Sequence, residues 1–323
     1  GNKFIYLICG WGTMIIGYNN TIIDKAAQKQ YSLGNTVSVA SPVMIELAET
    51  LVDTVEIAEW ALFGKNGGDS TQLAVMISRQ ETGKDKVLKI DGGYHGANGW
   101  MQREGSPGTI DSDSSEVVSI PWNNIEEFDA AISKFESEIA CFISSPFHHP
   151  TSEDNVLPKK GYWEHIQKVC NEKNIIIIVD DVRTGFRIDL AGSNQAFNFS
   201  PDLVCLGKAI ANGYPISALV GKNYLKEAAN KVYFSGTQFF NSAPMAAAIA
   251  TINELKNIDA ISLMQYHGND LKSKMISMAK SYDIDLKVTG VPSMPYFRIE
   301  NEDQELHFKW VDNCLSKGCL LYT

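Results

Sequence analysis

Three short runs, Ile139 to Ser144, Ile175 to Val179 and Leu203 to Leu206, are apolar at nearly every position instead of at alternate ones. Strands covered on both faces use such a pattern, and strands of that kind belong to parallel sheets with helices packed on either side. Lys86 to Ile90 and Ile216 to Gly221 extend the set. Between them the apolar spacing is helical. Pro42 to Val55 has Ser41 as a cap and Pro42 at the first helical position, and it places Ile45, Leu47, Leu51, Val52 and Val55 on one side. Tyr162 to Glu172, Ser242 to Leu255 and Ile258 to Tyr282 complete the helices, and Gly105 to Ser115 reads as a surface loop. The expected class is α/β, with parallel strands joined by crossover helices.

Composition narrows the partners. The 323 residues carry 28 Lys and Arg against 38 Asp and Glu, a formal charge of −10, with no basic run. That balance lacks the electrostatic footprint needed to bind nucleic acid or an anionic membrane, so no such partner is expected and small molecules are. No apolar stretch approaches the roughly 20 residues that span a bilayer, and the opening Gly1-Asn2-Lys3 is neither a signal nor a transit peptide. The 6 cysteines are scattered without metal spacing, several within apolar runs, which points to free thiols and a cytoplasmic location.

Four segments past strand ends can carry chemistry. Ile175 to Val179 runs into Asp180, a carboxylate delivered to the sheet edge where open α/β folds bind ligands, although a lone Asp there could equally be a loop or cap residue. Leu203 to Leu206 leads to Gly207-Lys208; an amine at that edge loses solvent, drops in pKa and becomes nucleophilic, although a snorkelling Lys reads the same way. Asn66-Gly67-Gly68-Asp69 opens a helical pattern whose exposed N–H groups suit a phosphate, or is a plain glycine turn. Asp91-Gly92-Gly93-Tyr94-His95-Gly96 offers an aromatic ring to a planar ligand, or a packed Tyr. Amine, acid, phosphate cradle and stacking ring together are what pyridoxal 5'-phosphate (PLP) requires.

These residues resemble the class III, or ω-type, aminotransferases of PLP fold type I, most closely their glutamate-1-semialdehyde 2,1-aminomutase-like branch. Asp180-Asp181-Val182-Arg183-Thr184-Gly185-Phe186-Arg187 is similar to the family's Asp-Glu-Val-x-Thr-Gly-Phe-Arg, and Leu206-Gly207-Lys208 through Gly221 is similar to its lysine segment. The likeness runs from Gly1 to about Tyr322. It implies a large PLP-binding domain over residues 41–255 and a small domain formed from 1–40 and a shortened 256–323. It implies Lys208 as Schiff-base lysine and proton-transfer base, Asp180 on the pyridine nitrogen, Val182 and Tyr94 on the two ring faces, with His95 beside them, and Gly67 and Gly68 on the phosphate. Thr237 would reach the phosphate of the neighbouring subunit in a homodimer, and Trp11 would line the substrate pocket unless it packs in the core. The implied activity moves an amino group from a donor to a carbonyl acceptor by way of pyridoxamine phosphate. An aminomutase acting within one substrate is the second reading, and a non-catalytic relative the third. Departures from the pattern are Ser145-Pro146-Phe147-His148-His149, where the family has Glu-Pro and a small Asn-containing turn, Asp181 for Glu, and Tyr18 for His. His148-His149 could be metal ligands but read better as a loop pair. The chain is either naturally short or a piece of a longer one.

Overall fold

The computed structural model describes residues 3–151, 153–300 and 305–321; Gly1 and Tyr322, the ends of the resemblance, lie outside them. Among the described residues the strands are β1 (Ile5–Tyr6), β2 (Trp60–Gly64), β3 (Lys86–Ile90), β4 (Val117–Ile120), β5 (Ile139–Ser144), β6 (Ile176–Asp180), β7 (Leu203–Leu206), β8 (Ser217–Gly221), β9 (Leu286–Thr289), β10 (Tyr296–Ile299) and β11 (Cys319–Leu320). The helices are α1 (Cys9–Gly12), α2 (Thr21–Leu33), α3 (Pro42–Val52), α4 (Gly67–Thr82), α5 (Asp111–Ser114), α6 (Ile125–Phe135), α7 (Tyr162–Lys173), α8 (Lys226–Lys231), α9 (Ser242–Asn257), α10 (Ala260–Ser281) and α11 (Glu305–Ser316).

Seven strands form one sheet in the order β2-β8-β7-β6-β5-β3-β4. Strands β3 to β7 are parallel, so their carboxyl ends share one edge. Along β6 the side chains alternate between two buried layers: Ile177 and Val179 pack with Phe142 and Val204, while Ile176 and Ile178 pack with Cys141, Ile143 and Cys205. Burial on both faces explains the unbroken apolar runs. β8 runs antiparallel to β7, contrary to the expectation of a parallel strand. A parallel return needs a crossover of a dozen or more residues, and the connection from Leu206 to Ser217 holds only a short turn. β2, antiparallel to β8, was not apparent in the sequence.

Helix α3 starts at Pro42 as expected, but the Ser41 side chain makes no capping bond. Its buried stripe is Val43, Leu47 and Leu51, spaced four apart, while Ile45 and Val52 face outward. Gly105 to Ser115 lies mostly at the surface and contains the single turn α5. Helix α2 buries Ile23 and Ala27 in the same core as Leu255 of α9. Outside the main sheet, β9 and β10 form a hairpin, and β1 pairs in parallel with β11.

Candidate active site

At the shared strand edge, β6 ends on Asp180 and β7 is followed by Gly207 and Lys208. Asp180 is buried; one carboxylate oxygen sits 2.7 Å from Nδ1 of buried His95, and the other accepts the Val182 N–H at 3.2 Å. The next residue, Asp181, is also buried and turns away, accepting Thr184 Oγ1 and the Ser193 N–H, so it braces the loop. Burial pushes its carboxyl pKa upward. Lys208 opens a 3-10 turn with a φ of 44°. A side chain in the left-handed region is strained, and such strain concentrates at functional sites. Desolvation lowers its pKa to about 8, opposed by the nearby Asp180 charge and assisted by Arg183 and Arg187.

The start of α4 joins the four segments. A Cβ on Gly67 would meet Val182 Cγ1 at 2.6 Å, and one on Gly207 would meet it at 3.2 Å. A Cβ on Gly68 would lie 3.4 Å from the Gly96 Cα, and Thr71 Oγ1 donates to the His95 carbonyl at 2.7 Å. The Asp69 carboxylate takes the backbone N–H groups of Lys65 and Asn66, both at 2.8 Å. The helix start is thus wedged between the acid loop, the lysine turn and the Tyr94-His95 loop. Tyr94 itself is 76% exposed, its ring free of core packing.

The segment around Trp11 is tied to the same edge. Asn212, just after the lysine turn, accepts the N–H groups of Ile15 and Ile16, each at 2.9 Å, and donates to the Gly17 carbonyl at 2.9 Å. Arg187 donates to the Gly12 carbonyl. Trp11 is 55% exposed, which removes core packing as its role. Thr237 is exposed, and no hydrogen bond joins it to Lys208 or Gly67 within the chain. Among the described residues no group of three His, Cys, Asp or Glu suited to a metal gathers around His148 and His149. Instead His148 stacks on Trp122 and pairs through its backbone with Val156.

Arg183, Arg187 and His149 stand within the sequence motifs and Asn212 within the lysine segment, but the sequence pattern gives none of them a part in the site. Their roles depend on contacts such as Arg183 to His149, 34 residues apart, which no spacing rule exposes.

The family profile described as "Aminotransferase class-III" matches residues 1–323. The chain belongs to that family. The aminopentol aminotransferase of Sphingopyxis macrogoltabida is 33% identical over 320 residues, covering 99% of this chain and 76% of the relative. A glutamate-1-semialdehyde 2,1-aminomutase of Methanocaldococcus jannaschii is 30% identical over 325 residues, covering 95% and 74%. The solved PLP internal aldimine form of the FumI protein from Sphingopyxis sp. MTA144 superposes with a TM-score of 0.94 at 33% identity, covering 99% of this chain and 77% of that one. This class III aminotransferase is therefore a PLP enzyme, and its edge suits the cofactor: a glycine cradle at a helix start, a buried acid, and a desolvated amine.

Proposed function

We propose that this aminotransferase holds PLP at the carboxyl edge of β5 to β7 and uses Lys208 as its working amine. PLP, when bound, supplies an aldehyde that condenses with amines and an electron-poor ring that accepts carbanion electrons. Lys208 would hold that aldehyde carbon between turnovers and, once displaced by substrate, carry the proton away from the substrate Cα. A pKa near 8 keeps a useful share of the amine neutral at working pH. Asp180 would keep a proton on the pyridine nitrogen; its bond to His95 holds the carboxylate in place. Gly67 and Gly68 would present N–H groups to the phosphate at the positive end of α4. Val182 would lie on one ring face and Tyr94 on the other, with His95 beside it.

The observation that carries the reading is the meeting of Gly67, Val182 and Gly207 immediately before Lys208. Trp11, anchored through Gly12 and Asn212, is our choice for the wall that touches substrate, a small-molecule amino donor and then a carbonyl acceptor. Thr237, exposed and without a hydrogen bond to Lys208 or Gly67, would serve a neighbouring subunit, with a homodimer as the working unit. The large unit would span residues 41–255, with 1–40 and 256–323 forming the smaller one. No helix among the described residues is long and apolar enough to cross a membrane, and six free cysteines, Cys141, Cys170 and Cys205 fully buried, support a reducing cytoplasm.

Borohydride reduction of the PLP-loaded protein, followed by peptide mapping, should mark Lys208, and Lys208→Ala should lose both label and turnover; a label elsewhere refutes the assignment. An aminomutase relative at 30% identity keeps the second reading open. Turnover of a single amino-aldehyde with no separate acceptor would favour it.

A further inference from the structure

The loop leaving β5 carries a buried donor that no other described residue takes up. Arg183 Nη1 lies 3.3 Å from His149 Nδ1 and donates to the His149 carbonyl at 2.9 Å. A guanidinium can only donate, so Nδ1 is the accepting nitrogen and the ring proton belongs on Nε2. Burial, with the Arg183 charge, holds the His149 pKa down at about 3, so the ring stays neutral. Its Nε2 is enclosed and has no partner among the described residues. A donor in that position costs about 1–3 kcal/mol unless an acceptor arrives. Phe147, fully buried, fixes the ring edge-on at 5.2 Å.

His149 also feels the charges of Asp180 and Lys208, the groups assigned above to the pyridine nitrogen and the aldehyde carbon. On the PLP ring, the carbon bearing the aldehyde is flanked by the phosphate arm on one side and the phenolic oxygen on the other. The phosphate has its cradle at Gly67 and Gly68, which leaves the phenolic oxygen in want of a donor. We infer that His149 gives its Nε2–H to that oxygen, with Arg183 as the positioning residue that fixes the tautomer. The inference rests on the Lys208 reading and adds to it a contact that the sequence pattern did not contain.

The test is a spectroscopic pH titration of PLP-loaded parent, His149→Leu, His149→Gln and Arg183→Met proteins. A donor on the phenolic oxygen draws off negative charge and weakens its hold on the proton shared with the Lys208 nitrogen. His149→Leu should raise the midpoint of the visible-band titration by about one pH unit and speed PLP dissociation about tenfold. Arg183→Met should shift it the same way by less, and His149→Gln, which keeps an N–H, should return most of the change. The charges that act on the linkage from its surroundings, Asp180, Arg183 and Arg187, are unaltered in the two His149 variants. If borohydride marks Lys208 in the parent yet His149→Leu leaves midpoint and dissociation unchanged, the inference fails while the Lys208 reading stands. If Lys208 takes no label, both fall. Should His149→Leu not fold, an unchanged midpoint in Arg183→Met overturns the inference by itself.

Discussion

Lys208 combines two costs, a left-handed backbone and a partly desolvated ammonium, and on the proposed reading both would serve one end: a short reach from the end of β7 and a neutral amine. The lowered pKa has a kinetic consequence. Apoprotein should load PLP at a rate that climbs with pH through about 8 and levels off above it, because only the unprotonated amine attacks the aldehyde. Stopped-flow growth of the visible band checks this; a rate flat between pH 6 and 9 contradicts it. Gly67 makes a steric prediction. Gly67→Ala puts a methyl 2.6 Å from Val182 Cγ1, so either Val182 or the helix start must move, and PLP affinity should fall at least tenfold. Adding Val182→Ala should recover part of it, as fluorescence titration with PLP would show. The placement of Lys208 and Asp180 at the strand edge was legible in the sequence because each follows an uninterrupted apolar run that fixes where it emerges. The contact between Arg183 and His149 was not, because it joins residues 34 apart on different loops.

Among the elements, the long buried strands were legible nearly to the residue, since burial on both faces writes itself into every position. Strand direction was not: β8 is as fully buried as the parallel strands, and only the length of the link before it separates the two cases. The stripe on α3 was also misjudged at its edges, where Ile45 and Val52 remain exposed. Leu47 lies at the centre of that stripe and is fully buried. Leu47→Ala should cost about 2–5 kcal/mol of stability by urea denaturation, while Ile45→Ala should cost far less. The β9-β10 hairpin acts on the loop that carries His149. Asp154 accepts from Arg298 Nε and Nη2 and from Lys287, while Asn155 bonds Thr289 Oγ1 and the Met294 carbonyl. Arg298 chiefly, with Lys287, holds the Asp154 carboxyl below its ordinary pKa. A depressed carboxylate stabilises the fold above its unfolded value of about 3.9 and loses that contribution as pH falls through the folded value. The clamp should therefore hold at neutral pH and release only in acid. Asp154→Asn should mimic the release at pH 7, with faster hydrogen exchange at the His148 and Val156 amides, whose two bonds close the loop.

For the molecule as a whole, the site is an edge property: no one segment builds it, and five loops from parallel strands and their flanking turns converge because the strands run the same way. The two-subunit reading yields a sharp test. Lys208→Ala and Thr237→Ala chains, each impaired alone, should regain activity when mixed, because a mixed pair contains one site with an intact lysine from one chain and an intact threonine from the other. Mixed chains that stay as inactive as their parents would argue against Thr237 serving a neighbour. Finally, one amide side chain, that of Asn212, fastens residues 15–17 to the turn behind the lysine. With the Arg187 bond to the Gly12 carbonyl, that latch ties the stretch that bears Trp11 to the lysine turn, so emptying the pocket and loosening that stretch should be one event. A protease offered the apoenzyme would then find its first cut there, and a cofactor that closes the turn would double as the guardian of residues 15–17.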